Sequence, residues 1–114
     1  MRAADQVRIA GIGSNPIKLV GSHSGCSIGE DGPSQMALED IAFFRNIPNG
    51  VVVVPRDGVS TEKAVELVAN YNNGPAFIRT SRPDVSVLYP NDEIFELGKS
   101  KILGYAGKAV KSSP

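Results

Sequence analysis

A run of four valines at positions 51–54 constrains the fold of this chain more than any other feature. A β-branched run without alternation is typical of a strand buried on both faces of a parallel sheet. Asp57 follows shortly and can cap a helix over residues 59–71, whose apolar side chains recur at helical spacing. AFIRT at 76–80 predicts the next strand. Strand, helix and strand in this order predict a parallel α/β unit.

The segment before the valine run repeats this alternation. Residues 2–12 predict a helix that ends at the GIGSNP segment, because Gly and Pro interrupt helices. IKLV at 17–20 predicts a short strand, and residues 22–33 form a glycine-rich loop. Ser34 is the predicted N-cap of a second helix. Four residues recur on one face of that helix: Leu38, Ile41, Ala42 and Arg45.

The end of the chain has weaker patterns. VSVLY at 85–89 and KSKIL at 99–103 are weak strand candidates, and a tail of small residues and lysines follows from Gly104. The predicted fold class is therefore α/β, a parallel sheet with flanking helices and right-handed crossovers.

Composition excludes several classes of protein. The 114 residues suffice for one domain, and 41% hydrophobic with 21% charged residues are globular values. Twelve basic residues balance twelve acidic ones, so whole-chain charge predicts neither a nucleic-acid nor a membrane partner. A single cysteine cannot form an internal disulfide, and the N-terminal residues lack the apolar core of a signal peptide. We expect a cytoplasmic location.

Ligands of parallel α/β sheets bind beyond the carboxyl ends of the strands. The segments that follow the three predicted strands should therefore share one edge of the sheet. They carry His23, Asp31, Arg56, Asp57 and Arg82. Topology alone predicts that these side chains are neighbours.

Three kinds of site find little support in the sequence: a metal site, a cysteine nucleophile and a dinucleotide loop. His23 and Cys26 have an HxxC spacing, but zinc needs at least three protein ligands and the chain has no other His or Cys, so we predict no metal site. No feature of the sequence indicates that Cys26 is activated as a nucleophile. GIGSNP resembles a dinucleotide loop, but Pro16 replaces its third glycine and a helix-like segment precedes it.

The remaining groups suit a sugar phosphate, because guanidinium and imidazole groups bind phosphate and carboxylates accept from hydroxyls. Other roles stay open for each residue. Arg82 can pair with Asp84, Asp31 can cap a turn, and His23 can satisfy backbone groups.

The block GEDGPSQMALEDIAFFRNIPN at 29–49 resembles the signature of the transketolase family. Four further blocks match in order and at family spacing: RAADQVRIA, LVGSHSG, PRDGVSTEKAVELVAN and FIRTSRP. The resemblance implies a partial pyrimidine-binding domain of the thiamine-diphosphate-binding fold over residues 1–103, followed by a divergent tail at 104–114. Gln35 and Met36 are similar to the animal-type branch.

The resemblance also implies roles for four residues. His23 and Arg82 match the family residues that hold the phosphate of the sugar. Asp31 matches the carboxylate that contacts substrate hydroxyls, and Gln35 matches a substrate-side residue of the animal branch.

Transketolases move two-carbon ketol units between sugar phosphates in the pentose phosphate pathway. The resemblance implies a homodimer with thiamine diphosphate and a divalent cation, Mg or Ca, whose ligands lie outside this chain. The family's catalytic glutamate is expected upstream of residue 1, so we predict that the isolated chain is inactive. An alternative is a noncatalytic remnant that only associates with other subunits. A sibling thiamine enzyme is a weaker alternative, because the GEDGPSQ and TSRP segments argue against it.

Overall fold

The computed structural model describes residues 2–103, so the predicted tail at 104–114 lies outside the described residues. Helices and strands alternate along the chain as predicted. They are α1 (Ala4–Ile12), β1 (Lys18–Gly21), a 3-10 helix (Cys26–Asp31), α2 (Asp40–Arg45), β2 (Val51–Val53), α3 (Gly58–Ala69) and β3 (Ala76–Arg79). The predicted α/β class is confirmed.

Within the described residues the sheet has the order β1, β3, β2, and both strand pairs are parallel. Lys18 and Val51 both lie opposite Ala76 in the register. The last of these three described strands is thus the central one. β2 lies at the edge and its valines are only half-buried, so the prediction of a strand buried on both faces was wrong for 51–54. Burial on both faces belongs to β3.

The core lies between α3 and the sheet, where Val68 packs with Ala76 and Ile78 of β3. Full burial of side chains as large as Val68 and Ile78 contributes about 1.5–3 kcal/mol each. On α2, the ring of Phe44 stacks on that of Phe77, with centroids 3.8 Å apart and planes inclined by 14°. These contacts attach both later helices to the central strand.

The predicted start of the second helix was wrong. Ser34 lies in a turn, and α2 begins only at Asp40. Ala37 forms a parallel bridge with Ser24, and its carbonyl oxygen accepts a hydrogen bond from the Gly25 amide at 3.0 Å. Because this backbone pairs with a distant loop, it is unavailable to a helix. Leu38 is therefore outside the helix and exposed.

Neither weak strand candidate, 85–89 or 99–103, forms a strand. Side chains hold this irregular segment instead. The ring of Tyr89 meets that of Phe95 edge to face at 5.0 Å, and Lys101 forms an ion pair with Glu93. No helix between residues 2 and 103 has the length and apolar character that crossing a membrane requires.

Candidate functional site

The loops that follow β1 and β3 are joined by backbone hydrogen bonds. The Thr80 amide donates to the Gly21 carbonyl oxygen at 2.8 Å, and the Ser24 amide donates to the Thr80 carbonyl oxygen at 3.1 Å. Both bonds continue the parallel pairing past the ends of the strands. The predicted shared edge therefore exists for these two loops.

Asp31 and Arg82 meet at this edge. A guanidinium Nη1 of Arg82 donates to Oδ2 of Asp31 at 3.0 Å. Both side chains are about half exposed, 46% for Asp31 and 41% for Arg82. The carboxylate partner of Arg82 is thus Asp31 and not Asp84. An exposed pair of this kind contributes only about 0–1 kcal/mol to stability.

His23 lies in the loop after β1 and is exposed. Its backbone has a φ of 63°, a left-handed conformation that is uncommon for residues other than glycine. Its Nδ1 lies 2.9 Å from the hydroxyl oxygen of Ser22, the one side-chain hydrogen bond of this imidazole within residues 2–103. The other ring nitrogen remains available to a ligand.

Gln35 is also exposed and ends a tight turn, where its amide donates to the Gly32 carbonyl oxygen at 3.2 Å. This turn directly follows Asp31. The structure thus brings Asp31 and Arg82 into contact, holds Gln35 close to Asp31 along the chain, and ties the His23 loop to the end of β3.

Asp57 does not belong to this group. It is 2% exposed and caps α3, with its carboxylate accepting from the Ser60 amide at 2.8 Å and from the Leu88 amide at 2.7 Å. Burial alone would raise the pKa of Asp57, but hydrogen bonds from Ser60, Leu88 and Tyr89 outweigh it and hold that pKa well below its usual range. Sheet topology correctly placed Asp57 at the carboxyl end of the strands, but its carboxylate caps α3 and is not available to a ligand.

A second ion pair was missed by sequence reasoning. Nε of Arg79 donates to Oδ2 of Asp40 at 2.7 Å, and Nη2 of the same guanidinium donates to the Ala37 carbonyl oxygen at 3.0 Å. The side chains of Arg79 and Asp40 are 17% and 10% exposed. The available signal was Arg79 at the end of the apolar strand AFIR, because a charged side chain requires a partner when it is buried.

A cavity of about 430 Å³ lies between β2, α3 and residues 95–101. None of the four predicted site residues lines it. Its lining includes Arg56, which sheet topology had grouped with the site candidates, and Lys99 and Lys101, which are paired with Glu96 and Glu93. We therefore place the candidate site at the ends of β1 and β3 and not in this cavity.

The family model of the transketolase pyrimidine-binding domain matches residues 1–87. This chain belongs to the transketolase family. The chain is 58% identical to human transketolase over 102 residues, which are 90% of this chain and 16% of the human protein. It is 55% identical to bovine transketolase-like protein 1 over 90% of this chain and 17% of that protein. The chain thus spans about a sixth of these relatives' length.

Two solved transketolase structures have the same fold. A mutant transketolase from Pichia stipitis superimposes with a TM-score of 0.72 at 32% identity, covering 76% of this chain and 13% of that one. A structure described as a split gene transketolase, inactive beta4 tetramer, has a TM-score of 0.57 at 34% identity, covering 69% of this chain and 24% of that one. The transketolase assignment and the fold are confirmed, and the roles of His23, Asp31, Gln35 and Arg82 stay predictions.

Proposed function

We propose that this chain supplies the sugar-phosphate-binding part of a transketolase, which transfers two-carbon ketol units between sugar phosphates of the pentose phosphate pathway. The complete enzyme in this proposal is a cytoplasmic homodimer that uses thiamine diphosphate with Mg or Ca. Because the chain spans 16% of human transketolase, the whole activity rests on family membership and on segments outside this sequence.

The observation that carries the proposal is the half-exposed pair of Arg82 and Asp31. Only one of the five N–H donors of the guanidinium is used by Asp31, so the others can bind a phosphate bidentately. Since an exposed pair is weak, a phosphate dianion can replace Asp31 as the partner of Arg82. The released carboxylate then accepts from a sugar hydroxyl. The two residues thus recognise two features of one sugar phosphate.

The other two residues extend this arrangement. The free ring nitrogen of His23 donates to the phosphate when it carries a proton, and the exposed amide of Gln35 reaches substrate oxygens from the turn after Asp31. The bond from Ser24 to Thr80 supports the placement of His23 on the same side as Arg82.

The described residues do not suit the divalent cation that accompanies the cofactor. Residues 2–103 contain no group of three or more His, Cys, Asp or Glu side chains arranged to hold a metal ion. Divalent cations such as Mg need an oxygen-rich ligand set, so in this proposal other segments hold the cation and the diphosphate. We assign no chemical step to this chain, whose residues bind and orient the sugar.

The test uses human transketolase in which the matching 102 residues are replaced by those of this chain. Loss of a charge-assisted hydrogen bond of about 1.5–3 kcal/mol predicts that Arg82→Ala raises the KM for ribose 5-phosphate about 10- to 100-fold. The KM for unphosphorylated ribose should stay within about twofold. Arg45→Ala, which removes an exposed arginine at the end of α2, is the control. An equal effect of Arg82→Ala on both sugars would refute the phosphate role.

A second candidate function is that of a noncatalytic subunit that only associates with other transketolase subunits. The split-gene neighbour is described as an inactive tetramer, which favours this possibility. Within residues 2–103, β1 and β2 each pair with β3 alone, and Val20 on β1 is 69% exposed. Open edges of this kind promote association. Size-exclusion chromatography with light scattering should find the 114-residue chain oligomeric, and a stable two-state monomer would contradict this expectation.

A further inference from the structure

The largely buried ion pair of Arg79 and Asp40 joins the end of β3 to the start of α2. Arg79 makes two hydrogen bonds with one guanidinium, to Oδ2 of Asp40 at 2.7 Å and to the Ala37 carbonyl oxygen at 3.0 Å. The planar fork of arginine can make both bonds at fixed directions, whereas a lysine ammonium has no such geometry. The position of the Ala37 carbonyl is therefore set by a side chain of the central strand.

The Ala37 carbonyl oxygen in turn holds the loop that carries His23. It also accepts from the Gly25 amide at 3.0 Å, and Ala37 bridges to Ser24, the residue after His23. A Cβ at Gly25 would lie 3.6 Å from Nη2 of Arg79, so the guanidinium lies directly against this loop. Contacts thus run without a gap from Asp40 through Arg79 and Ala37 to the left-handed backbone of His23.

A contribution to the stability of the fold does not by itself account for the ion pair of Arg79 and Asp40. Two charges removed from water lose hydration, and replacing such a pair by apolar residues is often neutral or stabilising. Oδ1 of Asp40 is buried and has no hydrogen-bond partner among residues 2–103, which adds to the cost. What the pair supplies is a defined geometry for the loop.

We propose that Arg79, oriented by Asp40, is a positioning residue that fixes His23 for binding the phosphate of the substrate. This inference rests on the proposed function. Arg79 does not touch the substrate in this arrangement and acts through the Ala37 carbonyl and the Gly25 amide. Its loss should therefore weaken phosphate binding specifically and leave the chemistry of unphosphorylated sugars unchanged.

The experiment uses the same human transketolase carrying this segment. Arg79→Lys keeps the charge but loses the fork, and we expect its KM for ribose 5-phosphate to rise about tenfold, equivalent to about 1.4 kcal/mol. The kcat and the KM for ribose should stay within about twofold. Arg45→Lys is the matched control, because Arg45 ends the same helix that Asp40 begins and is exposed. Asp40→Asn, which breaks the ion pair with little change of shape, should shift the KM in the same direction.

A double-mutant cycle separates positioning from a general structural role. If Arg79 acts through His23, adding Arg79→Lys to His23→Ala should raise the KM for ribose 5-phosphate less than about twofold further. Full additivity would overturn the inference, as would equal effects on both sugars or loss of the fold in both Arg79→Lys and Asp40→Asn.

A second readout uses His23, the only histidine of the 114-residue chain. Inorganic phosphate should shift its imidazole NMR signal in the parent chain and less so in the Arg79→Lys chain, and an equal shift in both would overturn the inference. The Arg82→Ala variant distinguishes the two proposals. If Arg82→Ala loses the preference for ribose 5-phosphate over ribose and Arg79→Lys keeps it, only the positioning role is refuted. Selectivity kept in Arg82→Ala refutes the proposed function and this inference with it.

Discussion

Replacing Asp57 tests how the irregular segment at residues 88–89 is fastened to α3. Oδ1 of Asp57 accepts from the amide of Ser60 at 2.8 Å and from its hydroxyl at 2.6 Å, and the Asp57 amide donates back to the Ser60 hydroxyl oxygen at 3.0 Å, which closes a reciprocal cap. Oδ2 accepts from the amides of Leu88 at 2.7 Å and Tyr89 at 3.0 Å. One carboxylate therefore caps a helix and holds a segment that has no secondary structure of its own.

The two oxygens can be tested separately. Asp57→Asn keeps the capping oxygen but turns an NH2 group toward the Leu88 and Tyr89 amides. Each of those charge-assisted bonds contributes about 1.5 kcal/mol, so we expect a loss of about 3 kcal/mol. Asp57→Ala also removes the cap, worth about 1 kcal/mol, and should cost about 4 kcal/mol. Urea unfolding followed by far-UV circular dichroism, at one fixed protein concentration, measures both.

The pH dependence follows from the lowered pKa of Asp57. A depressed pKa in the folded state stabilises the fold above the unfolded-state pKa of about 4 and loses this contribution as pH falls toward the folded value. The stability gap between the parent chain and Asp57→Asn should be constant above about pH 6 and narrow below about pH 4. A gap that stays constant in acid, or equal losses for Asn and Ala, would refute this assignment of the two oxygens.

Three further outcomes are expected. Gly74→Ala should destabilise the chain by about 1–3 kcal/mol, because its Cβ would meet the Asn49 carbonyl oxygen, whereas Gly58→Ala, with open space around it, should be neutral or stabilising by about 0.5 kcal/mol in the same unfolding assay. Asp31→Ala in the full enzyme should weaken discrimination between hydroxyl configurations, and unchanged stereoselectivity would contradict its role. The isolated chain should show no ketol transfer from xylulose 5-phosphate to ribose 5-phosphate above a blank; measurable turnover would overturn that expectation.

The sequence predicted those structural features that depend on residues close together in the chain. Asp57 was predicted to cap α3 because a carboxylate beside the first turn satisfies amides within reach of it, and the structure shows this cap. The predicted neighbourhood of Asp31 and Arg82 followed from a different rule, the shared edge of parallel strands, and the two side chains are in contact.

Long-range pairing explains what the sequence did not predict. Ser34 has the right residue type for an N-cap, but the Ala37 backbone pairs with Ser24 and delays the helix to Asp40. The bond between Arg79 and Asp40 joins residues far apart in sequence: Arg79 at the end of an apolar strand indicates that a partner is needed, but no local pattern identifies Asp40 as that partner. Asp57 was placed among site candidates because topology gives the end of the sheet but not the direction of a side chain.

The order of strands in the sheet has a consequence for synthesis on the ribosome. Among residues 2–103, β1 and β2 each have their backbone partner in β3, which is made last of the three. During translation the ladder bonds that β1 and β2 make with β3 can therefore form only after Ala76–Arg79 has left the exit tunnel. Formation of a sheet from strands far apart in the chain is slow, and until it is complete the apolar strands can associate with other chains. A nascent chain stalled just before Ala76 should accordingly need chaperone protection that one stalled well beyond Arg79 does not.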